Sequence, residues 1–188
     1  MASNNTDLQL YTEVAEKCSK YITHKYSTSF SLGILALNQE MRAPIRNIYA
    51  FVRVADEIVD TFHDYDKRLL LEKFRKETYT AIQDKISSNF VLHAFQKTVH
   101  EYRIDMELID AFLDSMAMDL DYRSYENDSF QKYIYGSAEV VGLMCLKVFC
   151  LGDEKMYKEL LDPARKLGAA FQKINFLRDL KSDFRERG

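Results

Sequence analysis

The feature that most constrains the fold of this 188-residue chain is the helical spacing of its apolar residues. Steps of three and four recur in nearly every segment, and such steps place side chains on one face of an α-helix. The first stripe shows the pattern and comprises Leu8, Tyr11, Ala15, Cys18 and Ile22. No convincing run alternates with the period of two that is typical of β-strands. The six glycines and two prolines are also too few for the many turns of a sandwich, barrel or doubly wound fold. The sequence therefore predicts an all-α fold.

Capping residues indicate seven or eight helices. Proline favours the first turn of a helix, so we place helix starts near Pro44 and at Asp162-Pro163. After the first stripe and a Ser- and Thr-rich segment over 26–38, the predicted helices span about 44–61, 67–87, 90–102, 105–122, 128–152 and 163–188. No linker or repeat separates them, and residues 1–188 are therefore predicted to form a single domain.

Charge and cysteine content exclude several classes of protein. The net charge is −3 and no basic block occurs, so we do not expect a nucleic-acid-binding surface. Three cysteines without a CxxC motif fit neither a disulfide framework nor a zinc site, and they suit a reducing cytosol. The first 30 residues are too polar for a signal peptide, and the longest apolar stretch, 140–151, is interrupted by Lys147 and too short to cross a bilayer. We expect a cytoplasmic protein.

A line of polar and ionisable residues runs along one side of the predicted helix 44–61. Tyr49, Arg53, Asp56 and Asp60 follow one another in steps of four, three and four. Buried charge is costly unless it is paired or bound to a metal. Either an internal Arg53–Asp56 ion pair with a solvated Asp60, or a site for a metal and an anion, explains this line. The stripe alone does not decide between the two.

The last predicted helix carries a second polar line. It comprises Gly168, Gln172, Asn175, Asp179 and Asp183, with Arg178 adjacent. An amide and two carboxylates are oxygen ligands that suit Mg²⁺. The alternative is an ordinary solvated face, which explains Lys181 and Ser182 but not the polar line that continues beside Gly168.

The two polar lines predict a shared site if their helices face each other. Carboxylates on opposite walls would repel unless divalent cations lay between them, and Mg²⁺ leaves coordination positions for phosphate oxygens. Arg53 and Arg178 would then donate to the same phosphate. Asp110 and Asp114 are also four apart, but their stripe has no arginine, amide or small residue, and we interpret it as a solvated face.

Two further groups are candidates for supporting roles. The hydroxyls of Ser27, Thr28 and Ser29 either bind phosphate oxygens or cap a helix, and capping is favoured from the sequence alone. Around Tyr133 and Ser137, the small residues Gly136 and Gly142 allow close approach of a ligand or of a second helix. The four histidines share no metal-ligand spacing.

Four segments together resemble the squalene/phytoene synthase family of head-to-head prenyl transferases. In chain order they read YSTSF (26–30), NIYAFVRVADEIVD (47–60), YIYGSAEVVGLM (133–144) and LGAAFQKINFLRDLKSD (167–183). The resemblance covers nearly the whole chain and is greatest to phytoene synthases. It implies an isoprenoid-synthase helical bundle with a central cavity.

The resemblance also implies the site residues. It assigns Mg²⁺ binding to Asp56, Asp60, Asn175, Asp179 and Asp183. It places near the diphosphates Ser27, Ser29, Tyr49, Arg53, Tyr133, Gln172 and Arg178. It implies catalytic roles for Tyr49, Arg53, Asp56, Asp60, Arg178, Asp179 and Asp183.

The implied reaction joins two allylic prenyl diphosphates through a cyclopropylcarbinyl diphosphate. Two geranylgeranyl diphosphates would give phytoene for carotenoid biosynthesis. Farnesyl diphosphate would give dehydrosqualene or, with hydride from NADPH, squalene. We also expect peripheral membrane contact for product release. The alternative from another class is a non-catalytic helical assembly or lipid-binding relative, which would not need Asp60, Arg178 and Asp183 together.

Two departures from the family pattern accompany the resemblance. Glu139, in SAEVVG, stands where the family commonly has glycine, so it either alters the cavity wall or only touches a neighbouring helix. Family chains also continue past Arg187 and Gly188 with helices that complete the cavity. The expectation is therefore an N-terminal portion of the family domain that makes no hydrocarbon by itself.

Overall fold

The computed structural model describes residues 2–120 and 127–187, with side chains described over 6–120 and 131–174. Every regular element in these ranges is helical, which confirms the predicted all-α fold. In chain order the helices are α1 (Ala2–Tyr26), α2 (Thr28–Leu35), α3 (Gln39–Asp60), α4 (Lys67–Asp84), α5 (Phe90–Tyr102), α6 (Met106–Leu120), α7 (Asn127–Ile134), α8 (Val140–Phe149) and α9 (Glu154–Arg187). A π-helical turn over Tyr135–Glu139 joins α7 to α8.

Side-chain caps fix several helix starts. The hydroxyl of Ser27 accepts a hydrogen bond from the backbone N–H of Phe30 at 3.2 Å, so capping of α2 explains this serine. Asp66 caps α4 in the same way, and Asn89 caps α5. Before α9, a carboxylate oxygen of Asp153 accepts from the N–H groups of Lys155 and Met156. Such caps satisfy N–H groups that have no partner within the helix.

The two prolines mark no helix starts, contrary to the sequence prediction. Helix α3 begins at Gln39 and contains Pro44, and α9 runs through Pro163 without restarting. Each proline removes one backbone hydrogen bond, but tertiary packing outweighs that loss. Pro44 is itself buried, while Leu161 and Ala164 pack against the core on either side of Pro163.

The single helix predicted over 128–152 is also wrong in detail, because the π-helical turn interrupts it. A Cβ added at Gly136 would lie 2.4 Å from the carbonyl oxygen of Ala111 and 2.6 Å from the Cβ of Ser115. Glycine is therefore required there by the close approach of α6. The π turn widens the helix at a point where α6 and α9 both contact it.

Helix α3 lies at the centre of the fold. It contacts α1, α2, α4, α5, α6 and α8. The ring of Phe51 stacks on that of Phe95, with centroids 3.9 Å apart, and also meets Phe74 and Phe112. These rings fix the rotation of α3, and therefore the direction in which its polar line points. No helix that the structure describes has both the length and the apolar character to span a bilayer.

Candidate functional site

The polar line of α3 lies along the edge of its buried face. Tyr49, Arg53 and Asp56 are half-buried, whereas Asp60, at the end of the helix, is exposed. On the same turns, Ala55, Ile58 and Val59 are buried. The line is therefore accessible from solvent and bordered by apolar packing.

Arg53 is held by two different kinds of contact. Its guanidinium lies 4.5 Å from the centroid of the Tyr26 ring, a cation–π contact. It also forms an ion pair with Glu57, one helical turn further on. Burial alone would lower the pKa of Arg53, but the hydrogen bond and charge of Glu57 raise it overall. The side-chain Nε is buried without a hydrogen-bond partner. Arg53 thus pairs with Glu57 rather than with Asp56, its partner in one of the two interpretations of this line from the sequence.

Asp56 lies where several negative charges converge. Burial is the main cause that raises its pKa to about 7. The nearby Arg53 opposes this shift, while Asp60, Asp119 and Glu57 reinforce it. A carboxyl group in such surroundings is favourable for a cation, since a positive charge would offset both the desolvation and the repulsion.

The N-terminus of α2 closes one side of this region. The ring of Phe30 stacks on that of Tyr49, with centroids 4.9 Å apart. The Tyr49 hydroxyl interacts with the side chain of Ser27, and burial of Tyr49 is the main cause that raises its pKa. Ser27 is therefore next to the polar line of α3. Ser29 is exposed on α2, and no hydrogen bond places it with these residues in the described part of the chain.

Asp119 is a neighbour of the site that the sequence analysis missed. It lies on α6, interacts with Asp56, and accepts a hydrogen bond from the Tyr133 hydroxyl at 3.2 Å. Tyr133, a predicted diphosphate ligand, thus joins the α3 region through Asp119. Spacing along the chain does not point to Asp119, because no other Asp lies four residues from it.

Asp110 and Asp114 do not belong to this region. Asp114 pairs with Arg75 at 2.7 Å, and Asp110 accepts a hydrogen bond from the Tyr79 hydroxyl at 2.6 Å. Both partners lie on α4. The interpretation as a simply solvated face is therefore wrong in part, since these two residues tie α6 to α4. The spacing along α6 does not predict these contacts, because Arg75 and Tyr79 come from another helix.

The first turns of the polar line on α9 pack against the π turn. A Cβ added at Gly168 would lie 3.1 Å from the carbonyl oxygen of Ala138 and 3.1 Å from the Cα of Glu139. Arg165 donates to Glu139 at 2.7 Å, and Glu139 therefore contacts a neighbouring helix. Gln172 is half-buried. The α9 helix includes the four remaining predicted residues, whose side chains lie outside the described part: Asn175, Arg178, Asp179 and Asp183.

The described side chains form only part of a metal site. Among them, no group of three His, Cys, Asp or Glu residues is close enough to hold an ion. The described side chains that could begin a metal site are therefore Asp56 and Asp60 on α3, with Asp119 nearby. Whether α9 adds ligands opposite them stays a prediction from the sequence.

The chain is similar to proteins of known family and fold. A family model described as squalene/phytoene synthase matches residues 23–188. The 4,4'-diapophytoene synthase of Staphylococcus haemolyticus (strain JCSC1435) is 26% identical over 170 residues, which cover 87% of this chain and 57% of that protein. The chloroplastic phytoene synthase 1 of Solanum lycopersicum is 27% identical over 183 residues, which cover 95% of this chain and 44% of that protein. The chain thus spans about half the length of the curated relatives it matches.

Solved structures show the same fold. A dehydrosqualene synthase crystallised with a ligand superposes with a TM-score of 0.81 and 24% identity, over 96% of this chain and 61% of its own. A squalene synthase from Alicyclobacillus acidocaldarius gives a TM-score of 0.81 with 20% identity, over 93% of this chain and 65% of its own.

Proposed function

We propose that this chain, which belongs to the squalene/phytoene synthase family, provides the diphosphate-binding region of a head-to-head prenyl transferase. The observation that supports the proposal most is the α3 face, where a half-buried arginine lies one turn from a carboxyl group with a raised pKa. Proteins bind a diphosphate with hydrogen-bond donors and with a cation. Arg53 supplies donors to the phosphate oxygens, and Asp56 supplies a ligand for the cation.

The residues present fit Mg²⁺. Asp56 and Asp60 are oxygen ligands one turn apart, and the negative surroundings that raise the pKa of Asp56 favour a cation there. Because Mg²⁺ keeps several waters or substrate oxygens, two carboxylates on one wall are enough to begin a site. We assign the remaining ligands to Asn175, Asp179 and Asp183 on α9. When bound, Mg²⁺ would neutralise the charge that develops on a leaving diphosphate.

Arg53 and Tyr49 take complementary roles in this proposal. Arg53 donates to diphosphate oxygens, and its fixed charge stabilises the leaving group as the allylic C–O bond breaks. Burial raises the pKa of Tyr49 further above neutral, so its hydroxyl keeps its proton and can donate a hydrogen bond. Gln172, Arg178 and Tyr133 are proposed further contacts to the diphosphates, with Ser27 and Ser29 at the start of α2.

The proposed substrates are two allylic prenyl diphosphates, most simply two geranylgeranyl diphosphates that yield phytoene in carotenoid biosynthesis. The similarity to a phytoene synthase supports this choice, and the similarity to a diapophytoene synthase supports farnesyl diphosphate as the alternative. NADPH would be required only if squalene were the product. We propose a cytoplasmic protein with peripheral membrane contact, because the hydrocarbon product is apolar.

Calorimetric titration of the purified chain with inorganic pyrophosphate, with and without Mg²⁺, tests this function. We expect Mg²⁺ to increase pyrophosphate affinity about 100-fold, or about 2.7 kcal/mol. Asp56→Asn should abolish the increase, and Asp114→Asn, which removes the same charge on α6, should not. A protein that binds pyrophosphate equally well without Mg²⁺, or not at all, would contradict the proposal and favour a non-catalytic relative.

Substrate length is tested separately with farnesyl and geranylgeranyl diphosphate. The prenyl group adds apolar contacts, so the true substrate should bind more tightly than pyrophosphate alone. If both prenyl diphosphates bind no more tightly than pyrophosphate, the proposed apolar contacts to the prenyl group are not made.

A further inference from the structure

The two contacts of Arg53 leave different parts of its guanidinium available. The guanidinium carbon lies 4.5 Å from the centroid of the Tyr26 ring, a cation–π contact with the ring face. One carboxylate oxygen of Glu57 pairs with Nη2 of the guanidinium. Bidentate recognition of a phosphate uses two parallel N–H groups of a guanidinium. Glu57 therefore occupies one of the donor atoms that an incoming phosphate would use.

Glu57 has a second partner that it can keep when Arg53 is taken. Its carboxylate interacts with the Thr61 side chain as well as with Arg53, and these hydrogen bonds hold its pKa low although burial opposes them. The carboxylate is thus ionised and only 15% exposed, whereas the Arg53 side chain is 29% exposed. A ligand can therefore reach Arg53, and Glu57 can keep its contact with Thr61 when the ligand displaces it from Arg53.

We infer that Glu57 is a specificity-determining residue of the diphosphate site, an internal anion that occupies Arg53 until a metal-anchored diphosphate displaces it. This inference rests on the proposed function. Glu57 is tethered one turn away, so its effective concentration at Arg53 is high, and a free anion competes poorly with it. A diphosphate that binds Arg53 and also the Mg²⁺ held by Asp56 and Asp60 has two points of attachment. It can therefore displace Glu57 from Arg53. Glu57 thereby makes binding depend on Mg²⁺ and rejects anions that arrive alone.

The test is a gain of binding, which loss of structure does not produce. In Glu57→Gln, the amide keeps the shape of the side chain but loses the charge that holds Arg53. We expect the affinity for inorganic pyrophosphate without Mg²⁺ to rise about five- to tenfold, which is about 1 to 1.4 kcal/mol. The increase caused by Mg²⁺ should shrink accordingly. The matched control is Asp64→Asn, which removes the same charge from an exposed position just beyond α3 and should change affinity less than twofold.

Each outcome of the titration has a distinct meaning. Unchanged or weaker metal-free binding by Glu57→Gln, with normal Mg²⁺-dependent binding by the wild type, overturns the role of Glu57 alone. An equal gain in Asp64→Asn also overturns it, because general charge would then be the cause. Failure of the wild type to bind pyrophosphate even with Mg²⁺ refutes the proposed function instead. If Glu57→Gln does not fold, Glu57→Asp replaces it, since the shorter carboxylate reaches Arg53 poorly and should still gain at least twofold. No gain there overturns the inference.

Discussion

Helices α3 and α9 carry the same kind of polar line, but the protein supports the two lines very differently. Around the line of α3, the helix is packed by six neighbours and has a buried aromatic centre at Phe51. On α9, Tyr157 is buried near the start. Further along, Leu167, Phe171 and Ile174 are exposed by 60%, 59% and 59%. The α3 line borders a buried core, whereas the described part of the α9 line packs closely at Gly168 and is followed by exposed apolar residues.

This difference shows what a periodic pattern can and cannot establish. Spacing places residues on one side of a helix, but it says nothing about what covers the other side. On α3 the apolar positions find partners and fix the rotation of the polar line. On α9, Phe171 and Ile174 are exposed, and the start of its polar line, at Gly168, packs against the π turn.

The largest expected effect compares one carboxylate from each line. Asp56→Asn should reduce Mg²⁺-dependent pyrophosphate affinity about 100-fold, or roughly 2.7 kcal/mol, because Asp56 lies on the well-supported wall. Asp179→Asn should cost clearly less in this chain, about tenfold. Titration calorimetry on both variants measures the two losses. Equal losses would mean that α9 is positioned as firmly as α3.

The next effect concerns stability and pH, and it sets Asp56 apart from an ordinary surface carboxylate. Because its pKa in the folded protein is raised from 3.8 to about 7, the folded state binds more protons than the unfolded state between those values. Stability should therefore fall as pH rises from about 4 to 7. Asp56→Asn removes this penalty and should be more stable than wild type at pH 8 by about 2 kcal/mol, allowing for partial exposure.

Denaturant unfolding at pH 4 and pH 8 measures this difference. The two proteins should have nearly equal stability at pH 4, where Asp56 is protonated in the folded state. An Asp60→Asn control, which removes the same charge from an exposed position on the same helix, should raise stability at pH 8 less than Asp56→Asn does. If Asp56→Asn is less stable than wild type at pH 8, the interpretation of Asp56 as a partly buried carboxylate whose charge is incompletely compensated is wrong.

A smaller effect tests the close contact of α9 with the π turn. Gly168→Ala places a Cβ 3.1 Å from backbone atoms of Ala138 and Glu139, which cannot easily move. Although alanine favours a helix, we expect a net loss of about 1 to 2 kcal/mol in unfolding free energy. Gly142→Ala is the matched control, because its nearest neighbour, the Ala164 carbonyl, is 3.7 Å away. That substitution should be neutral or stabilise by up to about 1 kcal/mol. Similar losses at both glycines would argue against a specific contact at Gly168.

The sequence predicted the elements of the fold well, because each depends on local periodicity and capping. Its errors occur where packing between helices overrides a local signal. Pro44 and Pro163 lie inside helices since their neighbours are buried or packed, and the π turn follows from the tight approach of Gly136 to α6. None of these contacts leaves a pattern along the chain.

For the candidate site, the sequence identified the residues of one wall but not their pairing. The sequence predicts the line from Tyr49 to Asp60, and one of its two interpretations pairs Arg53 with Asp56. Glu57 is also one turn from Arg53, and only the side-chain directions, fixed by the packing of α3, distinguish the two. Asp119 comes from a helix far along the chain, so its approach to Asp56 depends on tertiary structure alone.

The smallest expected effect concerns the ion pair that ties α9 to the π turn. Arg165 donates to Glu139 at 2.7 Å and lies 5.2 Å from the centroid of the Tyr135 ring. Because the Arg165 side chain is 44% exposed, the pair should contribute only about 0.5 to 1 kcal/mol. A double-mutant cycle with Glu139→Gln and Arg165→Gln measures that coupling, which should exceed the additivity error of about 0.3 kcal/mol.

If the pair positions α9, both single variants should weaken Mg²⁺-dependent pyrophosphate binding two- to threefold. The wild type and the variants should bind equally without Mg²⁺, where only the α3 wall contributes. Additive stabilities with unchanged binding would show that the Gly168 contact alone holds the second line in place.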